Sequence, residues 1–452
     1  MLTYELKKMR GMPLYEGLYR CIREDIRSGK LPAGTKLPSK RALAENLEVS
    51  KIMVENAYGQ LLAEGYIRSE EKVGYFVENM DHTPSKPMGA FFTEEPEPEK
   101  ILDITANSPA FFPFSVWSKL QREVMLDYGE KLLRPLHNQG CPELRQAIAR
   151  HLADFRGMVI DPENIIIGAG TDFLYNLLIQ LLGRERVYAV EEPGYGKIRK
   201  IYAAGGVRCI GVPMDDRGVR VDALADAGVL HISPSHHFPT GLVMPMSRRQ
   251  ELLAWAEQAN GYIIEDDYDS EFRFHARPMT AMQTLDQRGR VIYMNTFSKS
   301  LTPAIRISYM VLPEELMARY QKLLGFYSCT VPSFEQYTLA RFLSRGYFEK
   351  HINRMRKFYK ARRNRVAAAL AACPYAERLT ILEQDAGLHF LLKVETQLSD
   401  QALIARFREA GVRVRTLGSY YDPPRNDRCL VVNYSGLEEA EMSRLQNVKL
   451  DG

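Results

Sequence analysis

Apolar residues fall four apart at Leu14, Leu18, Ile22 and Ile26, with polar residues between them and Gly29 beyond. That spacing predicts a helix with one apolar stripe, and the glycine predicts its stop. LPAGTKLP (31–38) is a turn punctuated by proline and glycine. Ser39 then stands where it caps a short helix, KRALAENL, and Ser50 where it caps a longer one, KIMVENAYGQLLAEG, ended by Gly65. A serine at an N-cap satisfies a free amide of the first turn, and a glycine past the last turn closes the other end. Two short helices with a tight turn between them make a helix-turn-helix. YIRSEEKVGYFVE (66–78) alternates around a charged, glycine-containing turn, which predicts a β-hairpin wing.

Residues 78–100 hold four prolines, no periodic apolar face and an acidic end, and read as an extended linker. Beyond it, seven short apolar runs recur between helix-length segments: NIIIGAG, RVYAVEEP, VRCIGVPM, VLHISPSH, YIIEDDYD, VIYMNTFSK and ISYMVLP. Runs of this kind imply a mostly parallel sheet buried on both faces, so residues 101–315 are expected to form a large α/β domain. Residues 316–452 change character, with long basic amphipathic helices and three later strands (LHFLLKV, VRVRTL, CLVVNYS), and predict a smaller α+β domain.

A chain of 452 residues exceeds what one core organises, which agrees with this division. Apolar residues make up 45% and charged residues 26%, and no run approaches the roughly 18 apolar residues of a membrane span. A soluble protein with no secretory leader is expected. The six cysteines are scattered without a C-x-x-C pair, which suits free thiols in a reducing cytoplasm and predicts neither disulfides nor a metal site. The net charge of +4 is too small to announce a nucleic-acid partner, so that reading must come from local pattern.

The local pattern supplies it. A recognition helix brings polar side chains of its first turn to base edges, while basic groups and hydroxyls hold phosphates. Ser39, Lys40, Arg41, Ser50 and Lys51 occupy those places, with Lys72 and Gly74 at the wing tip. Serine caps and surface lysines also occur in any small helical domain. The order of the segment decides: G-x-L-P-A-G-x-x-L-P-S-x-R-x-L-A followed by A-Y-x-x-L-x-A-E-G resembles the winged helix-turn-helix of GntR-type bacterial regulators over most of residues 13–77. Lys51 and Met53 stand where that family often carries arginine and threonine, which implies altered base preferences.

NTFSKSLTPAIR (295–306) raises a different chemistry. A lysine that forms an imine with an aldehyde cofactor belongs at a strand end beside an anion site, because pyridoxal phosphate brings both a carbonyl carbon and a dianion. Lys299 follows the strand VIYMN, with the hydroxyls of Thr296 and Ser298 and the guanidinium of Arg306 available to the phosphate. A lone Ser-Lys pair carries no signal; its neighbours do. Asp266 ends the apolar strand YIIED, where open α/β sheets hold ligands, and a carboxylate there keeps a pyridine nitrogen protonated. Tyr268 stands within reach of a phenolic oxygen. The amides of Gly170 and Thr171 open a helix after a strand, a ready anion site. Tyr195 in a Pro-Gly turn either stacks on a ring or is simply an exposed turn residue.

Taken in order, the glycine turn, Pro-Gly-Tyr, PSHHFPTG, EDDYD and TFSKSLTPAIR make residues 100–452 resemble fold-type I aminotransferases. Joined to the winged helix-turn-helix, the chain resembles the MocR family of regulators, GabR-like proteins. The resemblance implies pyridoxal 5'-phosphate as cofactor, with Lys299 as the imine lysine, Asp266 at the pyridine nitrogen, Tyr268 at the phenolic oxygen and Tyr195 over the ring. Gly170, Thr171, Thr296, Ser298 and Arg306 would surround the phosphate. It further implies promoter DNA as partner and a homodimer, domain-swapped head to tail.

Three departures qualify the enzyme half of that resemblance. Phe238 replaces the asparagine that touches the phenolic oxygen, leaving Tyr268 or His237 to cover the contact. Val431 aligns with the arginine that grips a substrate carboxylate, and Arg413, Arg415 or Arg428 would have to substitute. His137 stands where a tyrosine usually reaches the neighbouring subunit's phosphate. The expected function is therefore a cytoplasmic regulator sensing an amine, an amino acid or the cofactor itself. A functioning aminotransferase with an accessory DNA-binding module is the alternative, and a cofactor-free dimerisation scaffold a third.

Overall fold

The computed structural model describes residues 2–4, 13–79, 102–105, 111–273, 279–382, 387–437 and 439–450. Two units emerge, Met1–Pro98 and Glu99–Gly452. The linker expected over 78–100 lies, from residue 80 on, outside the described residues.

In the first unit, α1 (Leu14–Arg27) buries Leu18, Tyr19, Ile22 and Ile26. Leu14, at the first position of the helix, stays half exposed, so the apolar stripe begins one turn later than its spacing predicts. A two-residue strand, β1 (Lys36–Leu37), precedes α2 (Lys40–Leu47) and α3 (Lys51–Ala63). Ser39 Oγ accepts from the Ala42 amide at 3.2 Å and Ser50 Oγ from the Met53 amide at 3.3 Å, so both predicted caps form. Glu48 takes a left-handed conformation, φ 52°, and turns the chain between the two helices. The wing is β2 (Ile67–Glu70) paired antiparallel with β3 (Gly74–Val77), and β1 adds to it in the order β1-β3-β2. Proline and glycine around Lys36 hide that short strand from a periodicity argument.

The second unit opens with β4 (Leu102–Asp103), α4 (Phe114–Tyr128) and α5 (Pro142–Arg156). Then come β5 (Ile165–Gly168), α6 (Thr171–Leu182), β6 (Val187–Glu192), α7 (Gly196–Ala204), β7 (Cys209–Asp215) and β8 (Gly218–Val219). They are followed by β9 (Ala227–Ile232), α8 (Met246–Gln258), β10 (Tyr262–Asp266), α9 (Met282–Leu285), β11 (Val291–Thr296), α10 (Phe297–Ser300) and β12 (Ser308–Val311). The sheet has eight strands in the order β5-β12-β11-β10-β9-β6-β7-β8. All seven predicted runs lie in it, and the two-residue β8 is the addition. Its two faces are both buried: Ile165 and Ile167 of β5 pack with α5, α12 and the C-terminal strands, while Ile166 packs with α6 and α11. That alternation on one apolar strand is what a doubly covered sheet requires.

β12 runs antiparallel to both β11 and β5. The connection from Thr296 to Ser308 is too short for the helical crossover that a parallel neighbour needs, so the chain folds straight back. Lys299 and Arg306 lie in that return, at the C-terminal edge of the parallel strands.

The remaining elements are α11 (Glu314–Leu324), α12 (Ser333–Ser344), α13 (Tyr347–Ala371), β13 (Leu379–Leu382), β14 (His389–Val394), α14 (Asp400–Glu409), β15 (Val412–Arg413) and β16 (Cys429–Asn433). β13, β14 and β16 form an antiparallel sheet, and β15 pairs parallel with β4. VRVRTL therefore yields only the two-residue β15, with Thr416 making an isolated bridge to Leu430 of β16, and β13 is a strand that the apolar pattern did not mark. Among the described residues, no helix is long and apolar enough to cross a membrane.

Candidate functional site

The C-terminal ends of β5, β6, β9, β10 and β11 meet at one edge of the large sheet, and the residues singled out in the sequence for cofactor chemistry gather there. Lys299 sits on the short helix α10, directly after β11. Burial lowers the basicity of its amine, an effect the nearby Asp269 carboxylate opposes. It makes no hydrogen bond or ion pair with the described residues. Deprotonation costs an amine in such a setting less than at the surface, which is what a nucleophilic lysine requires.

Two adjacent aspartates follow β10, and the geometry separates them. Asp267 is committed: Arg156 lies 2.9 Å from its Oδ2 and the Tyr293 hydroxyl donates to the same oxygen at 2.6 Å. Asp266 receives Tyr175 Oη on Oδ2 at 2.5 Å, with His231 Nε2 at 3.4 Å, while its buried Oδ1 has no partner among the described residues. His231 is itself oriented by Tyr202 Oη, 2.7 Å from Nδ1. Burial and the Asp266 carboxylate push the Tyr175 phenol well above its usual pKa, so it remains a donor. Asp267 Oδ1 is likewise buried without a partner among the described residues, so what separates the two carboxylates is the Arg156 ion pair: Asp267 has its cation, and Asp266 has no arginine or lysine among the described residues.

An anion cradle forms between β5 and the β11–β12 return. Gly170 takes φ 90° as the N-cap of α6, and a side chain there would overlap the Arg306 guanidinium. Arg306, itself left-handed at φ 50°, donates to the Ala169 carbonyl at 3.4 Å and stays half exposed. Thr171 opens α6 with its amide free of the preceding turn. Thr296 Oγ1 lies 3.0 Å from Ser298 Oγ and accepts from Ser308 Oγ at 2.8 Å, which holds both hydroxyls at the start of α10.

The 233–240 segment after β9 contributes groups that the motif reading left aside. His236 Nδ1 lies 2.9 Å from Asp269 Oδ2 and 3.3 Å from Tyr268 Oη, so the Tyr268 hydroxyl is set on a histidine. His237 is turned away: Nδ1 meets Thr240 Oγ1 at 2.7 Å and Nε2 lies 3.5 Å from Glu191. Burial lowers His237 to about 3 and raises Glu191 to about 8, so both are uncharged at neutral pH. His389, from β14, lies against His236 with ring centroids 4.7 Å apart. Gly387 exists beside it because any side chain would strike His236. His236, His389, Asp269 and Tyr175 carried no isolated signal in the sequence; only the fold brings them to the site.

Tyr195 is 52% exposed and meets Phe238 edge to face at 5.9 Å. Phe238 in turn touches Tyr420 at 5.2 Å and packs with Leu391, Cys429 and Val431. Val431 thus belongs to an apolar wall. Of the three arginines considered as substitutes, Arg413 pairs with Asp103 at 3.2 Å and Arg428 donates to the Leu398 carbonyl at 3.2 Å. Arg415 lies close enough to Tyr420, on the wall itself, to oppose the burial-driven rise of the phenol's pKa. His137 is exposed.

In the first unit, Ser39 and Ser50 act as caps, Lys51 and Lys72 are exposed, and Arg41 is exposed beside Glu45 at 2.9 Å. Gly74, φ 141°, follows the wing turn. Lys40 differs from the others, since its amine is held by Glu55 at 2.7 Å and lies over the Tyr75 ring.

The description "Bacterial regulatory proteins, gntR family" fits residues 14–77, and "Aminotransferase class I and II" fits residues 99–447. The chain is 37% identical over 449 residues to the uncharacterized HTH-type transcriptional regulator YdeL of Bacillus subtilis (strain 168), covering 98% of this chain and 97% of that one. It is 33% identical to the probable rhizopine catabolism regulatory protein MocR of Rhizobium meliloti, over 97% and 93% of the two chains. Among solved structures, a kynurenine aminotransferase of Pyrococcus horikoshii superposes with a TM-score of 0.68 at 25% identity, covering 80% of this chain and 95% of that one. The chain belongs to the MocR-type HTH regulators, in which a GntR-type DNA-binding domain is joined to an aminotransferase class I and II domain.

Proposed function

We propose that this chain is a cytoplasmic, dimeric transcription regulator that holds pyridoxal 5'-phosphate in its aminotransferase-like unit and responds to a small amine, an amino acid or the cofactor itself. The observation that carries the reading is Lys299, a partly buried amine at the ligand edge of the sheet that makes no hydrogen bond or ion pair with the described residues. Two features of the site fit that group independently. Asp266 Oδ1 is buried and lacks the donor a protonated ring nitrogen would provide, and Gly170 leaves room for the Arg306 guanidinium at a helix N-terminus, as a phosphate requires.

Bound there, pyridoxal phosphate supplies an aldehyde that condenses with amines. The protein's share is to keep Lys299 neutral enough to compete for that carbon and to hold a negative charge at Asp266. Thr296 and Ser298 orient the anion, and Tyr268 with His236 provides a proton donor and acceptor between ring and effector. The apolar wall around Val431 favours a sensor over a general aminotransferase, because a lost arginine clamp weakens carboxylate binding by about 2–4 kcal/mol.

Effector binding reaches the C-terminal part through His389 and Tyr420, which pack on His236 and Phe238 of the large sheet's edge. A ligand that alters this packing shifts the population of DNA-competent dimers. The test is a promoter-binding titration of the loaded protein with amines and amino acids, read beside the amino-transfer products. A sensor changes its DNA affinity with no repeated turnover; sustained conversion of an amino donor and a keto acid, with DNA binding unmoved, would reject it.

A further inference from the structure

The outer face of α3 carries Lys51, Ile52, Glu55 and Asn56. Ile52 is 69% exposed, more than any other large apolar side chain described in this unit. Asn56 lies one turn further on the same face, exposed, and its amide makes no hydrogen bond with the described residues. Glu55 between them is the one acidic residue within α3. Lys40 holds it at 2.7 Å and is the first cause of its lowered pKa. Gly59, a further turn along, has nothing within 4 Å of where a side chain would begin, so the backbone there is open to close approach.

The face therefore has an apolar and amide centre, an acid neutralised by Lys40, and the exposed cation Lys51 at its rim. That arrangement complements a DNA major groove, where phosphates line the edges and the floor displays thymine methyls and adenine N6/N7 edges. Residues 52 and 56 are separated by a rise of about 6 Å along the helix, close to two base-pair steps of about 3.4 Å.

We propose that Ile52 reads the 5-methyl group of a thymine and Asn56 the edge of an adenine about two steps away, in each half-site. Lys40 is then a positioning residue, which removes the repulsion of Glu55 from the groove instead of gripping a phosphate. This rests on the DNA-binding reading of the first unit and adds which bases it selects.

The experiment uses the full-length protein and a duplex selected by it from a random pool. Each thymine of the selected site is replaced singly by deoxyuridine, which deletes the methyl and keeps the base pair. Wild type is expected to lose about fourfold in affinity at one thymine per half-site, the value of one buried methyl group. Ile52→Ala should lose the same factor on the parent duplex and be indifferent to the swap, whereas Ile52→Val keeps part of the sensitivity. Asn56→Ala should lose discrimination at one adenine, and Lys40→Gln should weaken binding without reducing its salt slope. If no thymine responds in wild type, or if Ile52→Ala responds as wild type does, the assignment is wrong. If no duplex is selected at all, the DNA-binding reading itself fails, which is a different result.

Discussion

Tyr175 donates a hydrogen bond to Asp266 Oδ2 over 2.5 Å, and Asp266 Oδ1, equally buried, has no partner among the described residues. In the proposed reading the first oxygen orients the carboxylate and the second meets the ligand. Asp266→Asn preserves the shape and removes the charge. It should weaken pyridoxal phosphate binding by at least about tenfold, since hydrogen bonds to charged groups contribute about 1.5–3 kcal/mol. Asp267→Asn should instead lower stability, because Arg156 then remains buried against a neutral partner. Equilibrium dialysis and urea unfolding separate the two outcomes.

Gly170 and Arg306 share one volume. Gly170→Ala combines a left-handed φ with an overlap of the guanidinium, and displaces Arg306 from the cradle. Its effect on affinity for pyridoxal phosphate should match that of Arg306→Ala, about 30-fold or more, and the double variant should be no worse than either alone. Additive losses in the binding titration would show that the two act separately.

Arg415 is the arginine that the structure joins to the apolar wall, through Tyr420. If effectors carry a carboxylate, Arg415→Ala should reduce the response to amino acids about tenfold or more and leave the response to simple amines intact. Equal loss for both classes, read from the absorbance change on effector addition, would remove Arg415 from recognition.

Glu191 gives a pH prediction for the cofactor-free protein. Its carboxyl is raised from about 4.5 to about 8, chiefly by burial, so the folded state binds its proton more tightly than the unfolded chain. Stability from this group is complete below about pH 4.5 and is lost as pH rises to 8. His237, lowered to about 3, acts oppositely but only up to about pH 6.5. Between pH 6.5 and 8, Glu191→Gln should therefore lose less stability than wild type, with the residue of the slope due to Glu271, also near 8. Parallel urea midpoints for the two proteins across that range would contradict the assignment.

Much of this architecture is written in local pattern. The caps Ser39 and Ser50 and the seven apolar runs follow from spacing and residue type, whereas the antiparallel return after β11 was not read from them. Contacts between distant segments were not. Nothing local separates Asp266 from Asp267; the distinction comes from Arg156, Tyr293 and Tyr175 on other elements. His389 meets His236 only because β14 packs against the 233–240 segment. Lys40 reads as a phosphate contact until Glu55, a helix away, is seen to hold it.

The central claim is that Lys299 is the amine that captures an aldehyde-bearing anion. The direct measurement is borohydride reduction of the purified protein after incubation with pyridoxal phosphate, followed by peptide mapping and a visible absorbance spectrum. The loaded protein should be yellow and carry one pyridoxyl group per chain on Lys299, and Lys299→Ala should show neither the band nor a label at that site. A colourless wild type, or label spread over surface lysines with Lys299 unmodified, would contradict it.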